Sequence, residues 1–111
     1  MKRDYKLYLE DIRESIQAIE EYIKNLSEEN FKNNKQIKDA IIRRLEIIGE
    51  AISNLPRSLK VKNPSEIWGE FGEFRNYVVH HYFEASLSRI WRIVTKDIPK
   101  LKKVIENINL V

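Results

Sequence analysis

Residues 37–55 read Ile37-Lys38-Asp39-Ala40-Ile41-Ile42-Arg43-Arg44-Leu45-Glu46-Ile47-Ile48-Gly49-Glu50-Ala51-Ile52-Ser53-Asn54-Leu55. Apolar side chains recur at Ile37, Ile41, Leu45, Ile48, Ile52 and Leu55, at intervals of four and three. That is the period of an α-helix turning one face to a core, because residues three, four and seven apart share a side. Ile42 and Ile47 widen the stripe, which predicts a helix that touches more than one neighbour. Gly49 sits inside the pattern, at a cost of about 1 kcal/mol relative to Ala. Two readings of it stand: close approach by another helix or a ligand, or a tolerated glycine. Pro56 ends the pattern, because proline lacks the N–H that the next turn needs.

Outward from this segment the same period returns. On the N-terminal side, Tyr5, Tyr8/Leu9, Ile12, Ile16, Ile19, Ile23 and Leu26 alternate with charged and amide residues, predicting a first helix over roughly 4 to 26. Ser27-Glu28-Glu29-Asn30 then reads as an N-cap with acids in the first turn, and Phe31 is expected in the core. On the C-terminal side, residues 56–63 read as the long loop. Asn63-Pro64-Ser65-Glu66 reads as a helix start, with Asn63 at N-cap, Pro64 at N1 and Glu66 in the capping-box position. A helix carrying Ile67, Trp68, Phe71, Phe74 and Val78 follows. Ser86 is a candidate cap for a last helix burying Leu87, Ile90, Trp91, Val94, Ile98, Leu101, Val104 and Ile108, which Pro99 is expected to kink or restart near Asp97. The sum is an all-α, up-and-down bundle of four or five helices in a single domain, residues 1–111.

Composition narrows the chemistry. With 111 residues, 42% hydrophobic and 33% charged, and only three Gly and three Pro, long helices with solvated faces are favoured over a turn-rich β fold. No cysteine is present, which removes disulfides, thiolate metal sites and Cys nucleophiles. No apolar run approaches the roughly 18 residues of a membrane span, and no signal-peptide pattern follows the charged Met1-Lys2-Arg3-Asp4 start. The expectation is a cytoplasmic chain without a membrane partner. A net charge of +3 lends only slight support to a polyanionic ligand.

Chemistry concentrates in Arg75-Asn76-Tyr77-Val78-Val79-His80-His81-Tyr82, which holds both histidines of the chain. On a helix, Glu73, Asn76, Tyr77 and His80 share one polar stripe, so Asn76 lies one turn from His80. Arg75 and His80 are five residues apart, roughly 140° around an ideal helix, and do not stack within one helix. A tight Arg–His site therefore needs a helix end, a kink or a second subunit. The residue types suit metal-independent cleavage of an RNA phosphodiester. An imidazole titrating near its reference value of about 6.5 moves protons at neutral pH. A guanidinium fork holds a phosphate and stabilises transition-state charge. The RNA's own 2′-hydroxyl is the nucleophile. No metal site is expected, because adjacent histidines point about 100° apart on a helix, and no cofactor is implied. The competing reading is a solvated helix face without chemistry.

The pattern Arg75-Asn76-x-x-x-His80-x-Tyr82 resembles the R-x-x-x-x-H-x-Y signature of HepT-like proteins in the HEPN superfamily. Ile47-Ile48-Gly49-Glu50-Ala51 is similar to the family's central-helix stretch. Tyr82-Phe83, Ile90-Trp91 and Asp97-Ile98-Pro99-x-Leu101 are similar to its C-terminal pattern, so the likeness runs nearly the whole chain. The resemblance implies the ribonuclease toxin of a type VII toxin–antitoxin pair, whose antitoxin is a minimal nucleotidyltransferase. It implies Arg75 and His80 as the catalytic pair, a homodimer whose two motifs face a shared cleft, and Tyr82 as a tyrosine silenced by adenylylation. Asn76 and His81 take supporting roles. His81 departs from relatives, where this position is often small or polar, and it stands as substrate contact or bystander ahead of general acid. Glu50 is either a packing residue or a positioner of the motif arginine. Trp68, Phe71, Phe74 and Trp91 read as core or dimer contacts before base-stacking platforms. The alternative function is a non-catalytic module that binds nucleotide or docks the nucleotidyltransferase.

Overall fold

A computed structural model describes residues 4–71 and 87–108. The first long helix, α1 (Tyr5–Ile23), starts where the Asp4 carboxylate accepts from the Lys6 amide at 3.0 Å, satisfying one of the donors that a helix start leaves open. It buries Leu9, Ile12, Ile16 and Ile19 on one side. The chain then turns through Asn25, whose φ of 60° is left-handed, a conformation that asparagine tolerates better than most residues. The short α2 (Glu28–Asn33) begins at Ser27, whose Oγ accepts from the Asn30 amide at 3.1 Å. Phe31 is fully buried, as its place in the sequence predicts.

Asn34 closes α2 and opens α3 (Lys35–Asn54), its side chain accepting from the Ile37 amide at 3.0 Å. This helix buries Ile41, Ile42, Leu45, Ile48, Gly49, Ala51 and Ile52, a face wide enough to pack on α1 and to touch α2 as well. Residues 56–63 are not a loop: α4 (Arg57–Lys62) lies there, started by Pro56. Proline suits a helix start, since its fixed φ is helical and its missing N–H is not called on. Asn63 also departs from expectation. It closes α4, its side-chain amide donating to the Leu59 carbonyl at 2.9 Å. The next helix, α5, is described over residues 67–71, and Ser65 caps it by accepting from the Ile67 amide at 3.2 Å.

After the 72–86 segment, α6 (Leu87–Arg92) runs through one widened π turn, Ile93–Asp97, into α7 (Ile98–Glu106). The Ile98 amide bonds back five residues to the Ile93 carbonyl. The slip in register falls just before Pro99, which sits in the first turn of α7. An α-helical register would have set the Pro99 ring against the carbonyl four residues earlier. Thr95 Oγ1 donates to the Trp91 carbonyl at 2.8 Å inside this turn. The restart near Asp97 that the sequence predicts is thus present, as a π turn rather than a sharp kink.

The core is continuous from α1 and α3 through Phe31, Ile67 and Phe71 to Leu87, Ile90, Val94, Ile98, Leu101 and Ile105. The architecture is all-α, a HEPN-like helical bundle. Among the described residues, no helix is long and apolar enough to cross a membrane.

Candidate functional site

The residues that the sequence nominates, Arg75, Asn76, His80, His81 and Tyr82, lie outside the described residues. So do Phe74 and the Ser86 cap. In sequence, the segment that carries them is flanked by two described core anchors. On the N-terminal side, in α5, Ile67 and Phe71 are 2% and 1% exposed, and the half-buried Trp68 donates from its indole nitrogen to the Asn63 carbonyl at 2.9 Å. On the C-terminal side Leu87 is 2% exposed, with Ile90 buried one turn on.

At this place the surface opens into a pocket of about 370 Å³ lined by Glu70, Phe71, Arg89, Arg92, Ile93, Asp97 and Lys100. It joins the residue before the motif segment to the helix after it. Three cations and two carboxylates face it, a mixed lining that suits a ligand with both charge and hydroxyl or amino groups. A second pocket, of about 340 Å³, lies between α1 and α7 and is lined by Arg13, Ile16, Gln17, Glu20, Lys102, Ile105 and Glu106. It borders neither end of the motif segment.

The neighbouring candidates resolve in part. Gly49 is buried in α3, and its carbonyl accepts from Ser53 Oγ at 2.9 Å. Glu50 is exposed, and its carbonyl accepts from the Asn54 amide at 2.8 Å. Trp91 packs on Phe31 with ring centroids 5.3 Å apart and planes tilted by 32°. This places Trp91, like Trp68, in packing, in line with the core reading. Arg92 and Lys100, which line the first pocket, belong with Lys96 to a run of exposed cations. Their spacing of four is the signal in the sequence that would have found them.

These elements define an all-α bundle of the HEPN type with a charged pocket lined by residues that flank the motif segment in sequence. The chain belongs to the HepT-like ribonuclease family: the family described as "Ribonuclease HepT-like" matches residues 12–108. Among curated relatives, the chain is 49% identical over 105 residues to a protein of Methanocaldococcus jannaschii described as a gamma-glutamylcyclotransferase and putative RNase. That match covers 95% of this chain but 47% of the relative, so the chain spans about half of that longer protein. A probable ribonuclease HepT of Thermococcus cleftensis is 42% identical over 108 residues, covering 97% of this chain and 98% of the relative. A putative RNase of Caldanaerobacter subterraneus is 36% identical, covering 91% and 90%. No solved structure matches. Family and relatives together support a ribonuclease.

Proposed function

We propose that this chain is the ribonuclease toxin of a type VII toxin–antitoxin pair, cutting RNA without a metal at a cleft shared by two subunits. The observation that carries this reading is that the family match extends from residue 12 to 108, a range that includes Arg75, Asn76, His80 and Tyr82. His80 moves the proton of the attacking 2′-hydroxyl. The ribose oxygen bonds to phosphorus and the 5′-oxygen leaves with a proton, giving a cyclic phosphate and a free 5′-hydroxyl. Arg75 holds the phosphate and balances the charge that builds in the transition state. Asn76 orients the imidazole, and His81 contacts substrate or stands by. A two-fold axis answers the 140° problem, because the two motifs then complete each other.

The partner is a minimal nucleotidyltransferase that moves AMP from ATP to the Tyr82 hydroxyl, releasing pyrophosphate. The added phosphate pairs with Arg75 and occupies the cleft. The setting is the cytoplasm.

The test is RNA cleavage by the purified chain in EDTA, beside intact mass after co-expression with the nucleotidyltransferase. Arg75→Ala and His80→Ala should each abolish cleavage while the helical fold persists, and RNA methylated at the 2′-oxygen should resist. If both variants cut as well as the parent, the catalytic assignment fails. If the parent does not cut but still binds the nucleotidyltransferase, the chain is a docking module. Silencing of Tyr82→Phe without a mass gain would remove the adenylylation step.

A further inference from the structure

The helix that follows the motif segment in sequence carries its charges unevenly. From Ser88 to Lys103, its exposed positions are Ser88, Arg89, Arg92, Lys96, Pro99, Lys100 and Lys103. Not one is an acid. Arg89, Arg92, Lys96, Lys100 and Lys103 follow at offsets of three, four, four and three and all are exposed, with the π turn at Ile93–Asp97 shifting the register between Arg92 and Lys100. From Arg92 to Lys103 the line is about 16 Å long. Among the described residues, no carboxylate pairs with Arg92, Lys96, Lys100 or Lys103. Lys102 differs: it turns to α1 and is held by Glu20. Arg92 and Lys100 also line the 370 Å³ pocket beside Phe71.

We propose that Arg92, Lys96 and Lys100, with Lys103 beyond them, are a phosphate track that guides single-stranded RNA to the motif segment. The proposal rests on the ribonuclease reading and adds substrate-binding residues outside the motif. Arg92, Lys96, Lys100 and Lys103, exposed and without a carboxylate partner among the described residues, match a ligand whose negative charge repeats at intervals, and the half-buried Asp97 is the one acid between them. A folded protein surface presents mixed charge and would meet the same line with partial repulsion. A lone phosphate ion is a poor occupant of the pocket, because Glu70 and Asp97 share its wall. In a polymer, those acceptors suit ribose hydroxyls and base amino groups while the cations take the phosphates.

The experiment measures binding of a fluorescein-labelled, twelve-nucleotide RNA of mixed sequence, methylated at every 2′-oxygen so that it survives. Anisotropy is followed from about 50 to 200 mM KCl for the full chain, for Arg92→Ala/Lys96→Ala/Lys100→Ala, and for the matched control Arg57→Ala/Lys60→Ala/Lys62→Ala on α4. The track variant should bind on the order of tenfold or more weakly at low salt, with its log–log salt slope reduced by about 2, since each lost single-strand phosphate contact removes about 0.7. The control should keep the parent's slope. The single Lys96→Ala variant, with about 0.7 removed, guards against misfolding of the triple. An unchanged slope in the track variant, or equal losses in track and control, overturns the proposal. If the slope is unchanged while Arg75→Ala still abolishes cleavage of ordinary RNA, the track falls and the ribonuclease reading stands. Loss of the nucleotidyltransferase complex with RNA binding intact would make the line a protein-docking surface and also overturn it. If the parent chain binds no RNA in this assay, the track falls, and cleavage of ordinary RNA decides the ribonuclease reading separately.

Discussion

Lys102 on α7 donates to both carboxylate oxygens of Glu20 on α1, at 2.9 and 3.2 Å, joining residues 82 apart in the sequence. The hydrogen bond to Glu20, and then its charge, hold the Lys102 ammonium above its ordinary value of 10.5. A raised folded value means the pair favours the native state below that ordinary value and loses its effect as pH rises through the folded one. Both partners are solvent-exposed, so the contribution is small and screened by salt. Lys102→Met should lower Tm slightly at pH 7 and low salt, and the gap to the parent should close in concentrated KCl and as pH rises through the raised folded value. Thermal melts followed by circular dichroism read this out. A gap that survives both conditions would mean that the lysine's methylene stem, not its charge, is what matters.

Phe31 is the side chain that binds the short α2 into the molecule. It is fully buried and packs against Trp91 of α6 at 5.3 Å between ring centroids. Removing a buried phenyl ring costs about 3–5 kcal/mol, a large share of the roughly 5–15 kcal/mol that holds a domain folded. Phe31→Ala should shift the urea midpoint strongly, while Phe31→Leu should retain most of the stability. A loss under about 1 kcal/mol for the alanine variant would show that the site collapses around the gap.

Ser15 offers the opposite expectation. Its side chain is fully buried on α1, and its hydroxyl has no hydrogen-bond partner among the described protein groups. A stranded hydroxyl costs about 1–3 kcal/mol, and alanine is also the better helix former. Ser15→Ala should therefore stabilise the protein by about 1 kcal/mol in urea titrations. Destabilisation instead would mean that the hydroxyl is bonded, for instance through an ordered water.

These residues also show what the sequence could reveal. Period and caps were enough for α1, α3, Ser27 and the burial of Phe31, because each depends on neighbours within a turn or two. Asn63 and the 56–63 stretch misled for a physical reason. An asparagine beside a proline serves equally to open a helix or to close one, and only its bond to the Leu59 carbonyl decides. In the candidate site, side-chain types and spacing single out Arg75, His80 and Tyr82, but their arrangement depends on long-range packing that spacing does not encode. The cation line on the last helix was legible by its period. It was hidden by a net charge of only +3, which averages that face against acids elsewhere.

Pro99 poses a contest between local geometry and packing. Replacing it with alanine restores an N–H and removes the ring that the widened turn at Ile93–Asp97 accommodates. Closing that turn into regular α-helix would rotate everything after it and pull Ile98, Leu101 and Ile105 from the core. Burying such side chains is worth about 1.5–3 kcal/mol each, against about 1 kcal/mol for one recovered hydrogen bond. The π turn should persist in Pro99→Ala, with stability changed by no more than about 1 kcal/mol. Amide exchange at Ile98 and retention of the Lys102–Glu20 pair by NMR would check it. Loss of that pair would show that proline, not packing, sets the register.

The proposed roles in catalysis separate most sharply at Arg75. Lysine keeps the charge but not the planar fork that grips two phosphate oxygens at once. If Arg75 acts on the transition state, Arg75→Lys should lower kcat on the order of 10²-fold while leaving KM nearly unchanged, because ground-state attraction for RNA survives in the positive charge. A docking residue behaves differently, since any cation at that position would serve. Steady-state cleavage of a short fluorogenic RNA gives both constants. A lysine variant with the parent's kcat would remove Arg75 from the chemistry and leave it a binding contact, with His80 then needing another partner for the developing phosphate charge.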